Sequence, residues 1–304
     1  MGKLLKLKDY IVFQELFGKQ KNSKITAHLI SLILGKEVKD INLDTNKRML
    51  GDSKNSKTCR LDIRAKFNDG MDCNIELQVE PFQFMNKRLL KYWADNYGRK
   101  INRSEVYNVL KPTIIILIAD YKLVQTQNNP NYHSVFNLRE KNHHEIIFSE
   151  DIEIHVLEIP KLKKSDVEND ELARWLKFID NPENKEVKKI MEENEYYKQA
   201  EEELEYLSGD PNFKNWVMDR AFYLMDQASY AKQLKDEGIK EGLEKGVKEG
   251  MEKGIEEGIK NGEASGKKKS QIEIAKKLLK LNMPIEQISE ITELSIEEIE
   301  KLKD

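Results

Sequence analysis

Two alternating runs, residues 59–67 and 71–79, are split by Asn68-Asp69-Gly70, and no other stretch restricts the fold so tightly. A three-residue loop with Gly in the left-handed position is a hairpin signature. Phe67 then faces Met71. The register pairs Leu61 with Leu77, Ile63 with Ile75 and Ala65 with Cys73, all apolar. A two-residue loop would pair Leu61 with Gln78 and scramble the pattern, because a one-residue slip turns every side chain to the other face. The hairpin therefore has one clean core face.

Its other face carries Arg60, Asp62, Arg64 and Lys66, with Asn74, Glu76, Gln78 and Glu80. In this register Asp62 lies opposite Glu76, with Cβ atoms roughly 5 Å apart, and like charges so placed repel. A positive charge must compensate. A divalent cation is one candidate, since hard oxygen ligands suit Mg²⁺. Arg60 or Arg64, on a solvated and salt-bridged face, is the other. The pattern alone leaves both open.

The surrounding elements follow from caps and periodicity. Asp9 can cap a helix over residues 10–17, stopped by Gly18, and Ser23 a second, stopped by Gly35. A first strand is expected over 38–43. A long basic helix over 84–103 carries Leu89, Leu90, Trp93 and Tyr97. Pro112 bars helix entry, and the β-branched run 113–119 is a buried strand. Another strand over 152–159 ends at Pro160. From about residue 166 the pattern is helical to the end. The fold class is α/β, a core of about 160 residues followed by an all-helical C-terminal extension. The expected domains are a core over 1–165, a helical extension over 166–235, a Gly-rich helical segment over 236–266 and a small helix-turn-helix-like module over 267–304.

Composition narrows the class. With 39% hydrophobic and 35% charged residues, the chain is too polar for a membrane protein and too apolar for a disordered one. Its longest apolar run, 114–119, is far short of a bilayer span. The N-terminus lacks a signal-peptide stretch, and Lys6 stands where a myristoylation motif needs Ser or Thr. Cys59 and Cys73 make neither a disulfide framework nor a zinc set. The cytoplasm is the default. The net charge of −3 hides an asymmetry: residues 1–111 hold 22 basic and 13 acidic side chains, the remainder 29 and 41. The basic part suits phosphates. His28, His133, His143, His144 and His155 show no metal-ligand spacing with a carboxylate and are read as structural or surface residues. No phosphate-binding loop, Cys-His pair or Gly-x-Ser-x-Gly occurs.

Gly238 to Gly266 is an internal repeat, eight glycines at every fourth position, with Ile239, Leu243, Val247, Met251, Ile255 and Ile259 at the same period. A period of four moves an apolar stripe about 40° around a helix at each step. Each interior Gly costs about 1 kcal/mol relative to Ala. A helix marginal alone, with glycines that admit a close partner, suits assembly of a homo-oligomer; a flexible tether is the plainer alternative. After it come three amphipathic helices. Ile274, Leu278 and Leu281 are expected inward on the first, Pro284 starts the second, and Ser295 with Glu298 forms a capping box on the third. Their acidic charge favours a protein-interaction module over DNA reading.

Asp62 followed by Glu76-Leu77-Gln78 across a short hairpin resembles the PD-(D/E)xK nuclease motif in its Asp…Glu-x-Gln form. The opening Asp9-Tyr10-Ile11-Val12-Phe13, the Phe84…Arg88…Tyr92 spacing, Leu157-Glu158 and the Glu-Gly tail extend the likeness to the recombination-promoting nuclease and transposase family. The resemblance implies a restriction-endonuclease-like α-β-β-β-α-β core with a mixed sheet, and Mg²⁺- (or Mn²⁺-) dependent DNA endonuclease activity linked to recombination or mobile DNA. It implies that Asp62 and Glu76 bind the metal with the backbone carbonyl of Leu77. Such a metal would lower the pKa of a bound water and polarise the scissile phosphate. Gln78 stands where the wider superfamily has Lys; it can orient a water but supplies no charge. Lys87, Arg88, Lys91 and Tyr92, on the next helix, are the expected DNA contacts. The alternative is a catalytically weak or inactive nuclease-fold protein acting through protein–protein interaction.

Overall fold

The computed structural model describes residues 3–44, 48–49, 59–60, 63–98, 101 and 104–302. Helix α1 (Tyr10–Gly18) starts where expected: the Asp9 carboxylate accepts from Ile11 N at 2.9 Å and Val12 N at 3.4 Å. Such a cap contributes about 1 kcal/mol. Helix α2 (Ser23–Leu34) departs from expectation at its start. Ser23 is its first helical residue, and a 3₁₀ turn over Gln20–Asn22 leads into it. Asn22 donates instead to the Leu16 carbonyl at 2.8 Å, which satisfies the end of α1. Gly35, at φ +64°, ends α2 as the sequence requires.

The remaining strands of the first unit are β1 (Ile41–Asp44), β2 (Arg48–Met49), β3 (Cys59–Arg60), β4 (Ile63–Phe67), β5 (Asp72–Gln78), β6 (Thr113–Ala119), β7 (His133–Arg139) and β8 (Ile147–Glu158). β2 and β3 pair with each other. The other six form one mixed sheet in the order β1-β4-β5-β6-β8-β7, with β5, β6 and β8 parallel and the outer pairs antiparallel. Helix α3 (Met85–Gly98) makes the crossover from β5 to β6. The hairpin register is the expected one: Ile63 faces Ile75 and Ala65 faces Cys73. Gly70 adopts φ +86°, and Phe67 N donates to Met71 O at 2.9 Å, closing the three-residue loop. Leu61, expected opposite Leu77, lies outside the described residues.

Both faces of the sheet are covered, which explains the unbroken apolar run of β6. Ile114, Ile116 and Ile118 join α1, α2, Cys73, Ile75 and Leu77 in one cluster. Ile115, Leu117 and Ala119 join Met85, Leu89 and Tyr92 of α3 in another. Helices α4 (Lys164–Asn169), α5 (Glu171–Asp180), α6 (Lys185–Ile190) and α7 (Glu195–Gly209) follow. α6 and α7 are separate helices because Asn184 and Asn194 each cap a new start. Trp175, Leu176 and Phe178 of α5, and Tyr197 and Leu204 of α7, are buried in the same cluster as α1. The core thus runs across residue 165.

The compact units are Met1–Ala221 and Phe222–Asp304. Helix α8 runs Pro211–Lys280, and α9 (Ile285–Thr292) and α10 (Ile296–Glu300) follow it. In the second unit Ala275, Ile288, Leu294 and Ile299 form a small core, with Ile272, Leu278 and Leu279 packed on it. Ile274 and Leu281, expected inward, are exposed. The chain leaves the helix at Leu281 and turns at Asn282, whose φ is +53°, and the inward stripe runs through Ala275, Leu278 and Leu279. The capping box of Ser295 and Glu298 is present.

Candidate active site

Pairing with β6 fixes which way β5 points its polar residues. Asn74, Glu76 and Gln78 lie beside Ile115, Leu117 and Ala119 and so share the face that α3 covers. Where β5 lies under α3 this face is therefore not solvated, although Lys66 and Glu80 remain exposed. Asn74 is fully buried and Glu76 is 2% exposed. A buried carboxylate needs a cationic or hydrogen-bonding partner.

Arg88, on the first turns of α3, supplies one. Its Nη2 donates to Glu76 Oε1, its Nη1 to Gln78 Oε1 at 3.2 Å, and its Nε to the Tyr92 hydroxyl at 2.5 Å. The Gln78 amide donates onward to the Glu80 carbonyl at 2.9 Å. Arg88 and Tyr92, one helical turn apart, thus face the sheet together. Arg88 of α3 thus supplies a counter-charge to Glu76. Arg64 serves Asp72 instead, at 2.7 Å. The Arg60 side chain and Asp62 lie outside the described residues, so the pairing of Asp62 with Glu76 is not described.

The donors gathered at the end of β5 are a carboxylate, a backbone carbonyl at Leu77 and a carboxamide at Gln78. All are hard oxygens, which fit Mg²⁺ or Mn²⁺ and not a thiophilic metal. Among the described residues no group of three or more His, Cys, Asp or Glu could hold a metal, and a set that includes Asp62 falls outside that count. A family model of PD-(D/E)XK nuclease family transposases matches residues 6–233. The chain belongs to that family. Neither a curated protein nor a solved structure matches it. No described helix is long and apolar enough to cross a membrane.

In this nuclease-family chain the expected DNA contacts divide into two kinds. Tyr92 is buried and Arg88 half-buried, both tied to the Glu76 network. Lys87 and Lys91 are exposed on the outer side of α3, Lys91 paired with Asp95 and Lys87 lying 5.6 Å over the Phe84 ring. A cleft of about 960 Å³ opens elsewhere in the first unit, between Ile159–Lys164 and α5–α6, and none of these residues lines it.

The burial of several polar residues carried no sequence signal. Asn74 and Asn96, both buried toward the α3 layer, have carboxamides without a partner among the described residues. Glu158 is fully buried and accepts from Leu123 N and Thr126 Oγ1 at 2.7 Å and from Lys161 Nζ at 2.5 Å. It pins the loop that carries Tyr121, whose hydroxyl burial pushes up despite the nearby Arg88 charge. His28, His133 and His155 make side-chain contacts. Glu153 and His155, two apart on a strand and therefore on one face, bond at 2.6 Å, and His155 bonds His133 at 2.9 Å. Burial, with His155 beside it, lowers the His133 imidazole to about 4. His28 bonds Glu171 at 2.8 Å.

Proposed function

We propose that this chain is a Mg²⁺- or Mn²⁺-dependent DNA endonuclease linked to recombination or mobile DNA. The observation that carries the reading is Glu76, a carboxylate buried on the α3 face of β5, in a hairpin that pairs Ile63 with Ile75 and Ala65 with Cys73. Asp62, Glu76 and the Leu77 carbonyl would hold the cation. When bound, it would supply an activated water and polarise the scissile phosphate. Gln78, oriented by Arg88 and Glu80, would align the water through its carboxamide. Arg88 is a positioning residue: one guanidinium fixes Glu76, Gln78 and Tyr92 together. Lys87 and Lys91 would meet phosphates flanking the cut. Purified protein should nick plasmid with Mg²⁺ and not with EDTA, and Asp62→Ala or Glu76→Ala should lose nearly all nicking. Equal cutting by wild type and both variants would exclude this site.

The Arg88 contact also favours a second reading. A guanidinium already neutralises Glu76, and a cation would have to share that carboxylate. A weak or silent nuclease acting through its tail fits this. Wild-type protein that binds DNA but cuts none under Mg²⁺ or Mn²⁺ would select it.

In either reading we propose that the tail forms a homo-oligomer. Ile239, Leu243, Val247, Met251, Ile255 and Ile259 are all more than half exposed. A Cβ at any of Gly238 to Gly266 would meet nothing within 4 Å, so a second helix has room to approach. Light scattering should find the full chain at least dimeric and a truncation ending at Lys235 smaller; two monomers at high concentration would refute the assembly.

A further inference from the structure

The loop between β5 and α3 leaves two phenyl rings in water. Phe82 is 45% and Phe84 51% exposed. The loop is not slack. Met85 N donates to the Phe82 carbonyl at 3.2 Å and Arg88 N to the Phe84 carbonyl at 3.0 Å, so the rings are carried on the entry to α3. Met85, just behind them, is buried. Each ring has a cation against it: Arg88 Cζ lies 5.6 Å from the Phe82 centroid and Lys87 Nζ 5.6 Å from the Phe84 centroid. The Arg88 guanidinium is the same one that holds Glu76 and Gln78. Two exposed rings, their cations and the buried carboxylate are therefore contiguous.

This chemistry distinguishes between forms of nucleic acid. A duplex offers a phosphate surface, which Lys87 and Lys91 suffice to meet and against which phenyl rings gain nothing. An unpaired base offers a π-face, and every base has one. We propose that Phe82 and Phe84 form a stacking platform for unpaired bases, so that the substrate class is a single strand, or a duplex with an unpaired segment, beside Glu76. The cations serve the adjoining phosphates and reinforce the stack. The proposal rests on the nuclease reading for the meaning of the site, and binding without cleavage tests it separately.

Fluorescence anisotropy with the full chain in EDTA would compare a labelled single-stranded oligodeoxynucleotide with its duplex at matched salt. The single strand should bind about tenfold tighter. The Phe82→Ala/Phe84→Ala variant should lose most of that preference and keep its duplex affinity, since both rings are about half exposed and outside the core clusters. Phe82→Trp/Phe84→Trp should retain the preference, and Phe82→Leu/Phe84→Leu should behave like the alanine variant. Equal or tighter duplex binding, or no binding of either form, overturns the platform. So does a preference that survives leucine, which would mark a greasy surface for a protein partner. If the preference and its loss appear but Mg²⁺ produces no cutting, the endonuclease reading fails alone. If Mg²⁺ nicking appears and the rings make no difference, the platform fails alone.

Discussion

The two faces of the central sheet are buried to similar depth but built from different chemistry. The face toward α1, α2 and α5 is apolar: Ile63, Ala65, Cys73, Ile75 and Leu77 meet Phe13, Phe17, Trp175 and Phe178. The face toward α3 buries Asp72, Asn74 and Glu76 on β5 and Asn96 on the helix, with Arg64 and Arg88 as counter-charges. Burying apolar area contributes about 25 cal/mol per Å², whereas burying a polar group without a partner costs about 1–3 kcal/mol. The first face therefore holds the fold, and the second draws on that stability to keep a charged group in place. Apolar packing and buried charge are separated by one strand's thickness.

The largest expected effect comes from the apolar face. Trp175 has no exposed surface and packs with ring centroids 6.3 Å from Phe17, 5.9 Å from Phe178 and 6.2 Å from Tyr197. Trp175→Ala should cost about 3–5 kcal/mol through lost burial and the cavity left behind. Urea denaturation of the full chain would show it. A loss under about 1 kcal/mol would mean that this face does not carry the fold, and the contrast between faces would collapse.

The apolar face was also the legible one. Asn68-Asp69-Gly70 fixed the hairpin register, and strict alternation then identified Ile63, Ala65, Cys73 and Ile75 as core. The run of β6 was equally plain because both of its faces are covered. Two things were not legible. β7 has alternation, but Val135, Phe136 and Leu138 are about half exposed on an outer strand, so its apolar residues do not report a core. The polar face of the hairpin looked like surface because periodicity records which residues share a side, not what covers it. Spacing put Arg88 and Tyr92 on one side of a helix; only the crossover of α3 onto β5 shows that this side meets Glu76. Asp62, which the sequence sets opposite Glu76, lies outside the described residues.

A smaller effect of opposite sign would sharpen the comparison. Asn74 sits two residues before Glu76 on the same side of β5, between Arg64 on β4 and Ile115 on β6. It is fully buried, and neither Oδ1 nor Nδ2 has a partner among the described residues. A fold selected for stability alone would place an apolar residue there. Leucine shares the branching of asparagine at Cγ, so Asn74→Leu replaces two buried polar atoms with methyl groups. Relieving that desolvation should raise stability by about 1 kcal/mol, seen as a higher urea midpoint with an unchanged slope. The same substitution should weaken nicking, because a polar group held at a loss beside Glu76 fits the usual exchange of stability for function. A drop in stability would show that the carboxamide is satisfied, through ordered water, and that the α3 face is a hydrated network and not a strained one. A gain in stability with undiminished nicking would leave the polarity of Asn74 without a role in the reaction, and would confine the working part of this face to Glu76, Gln78 and Arg88.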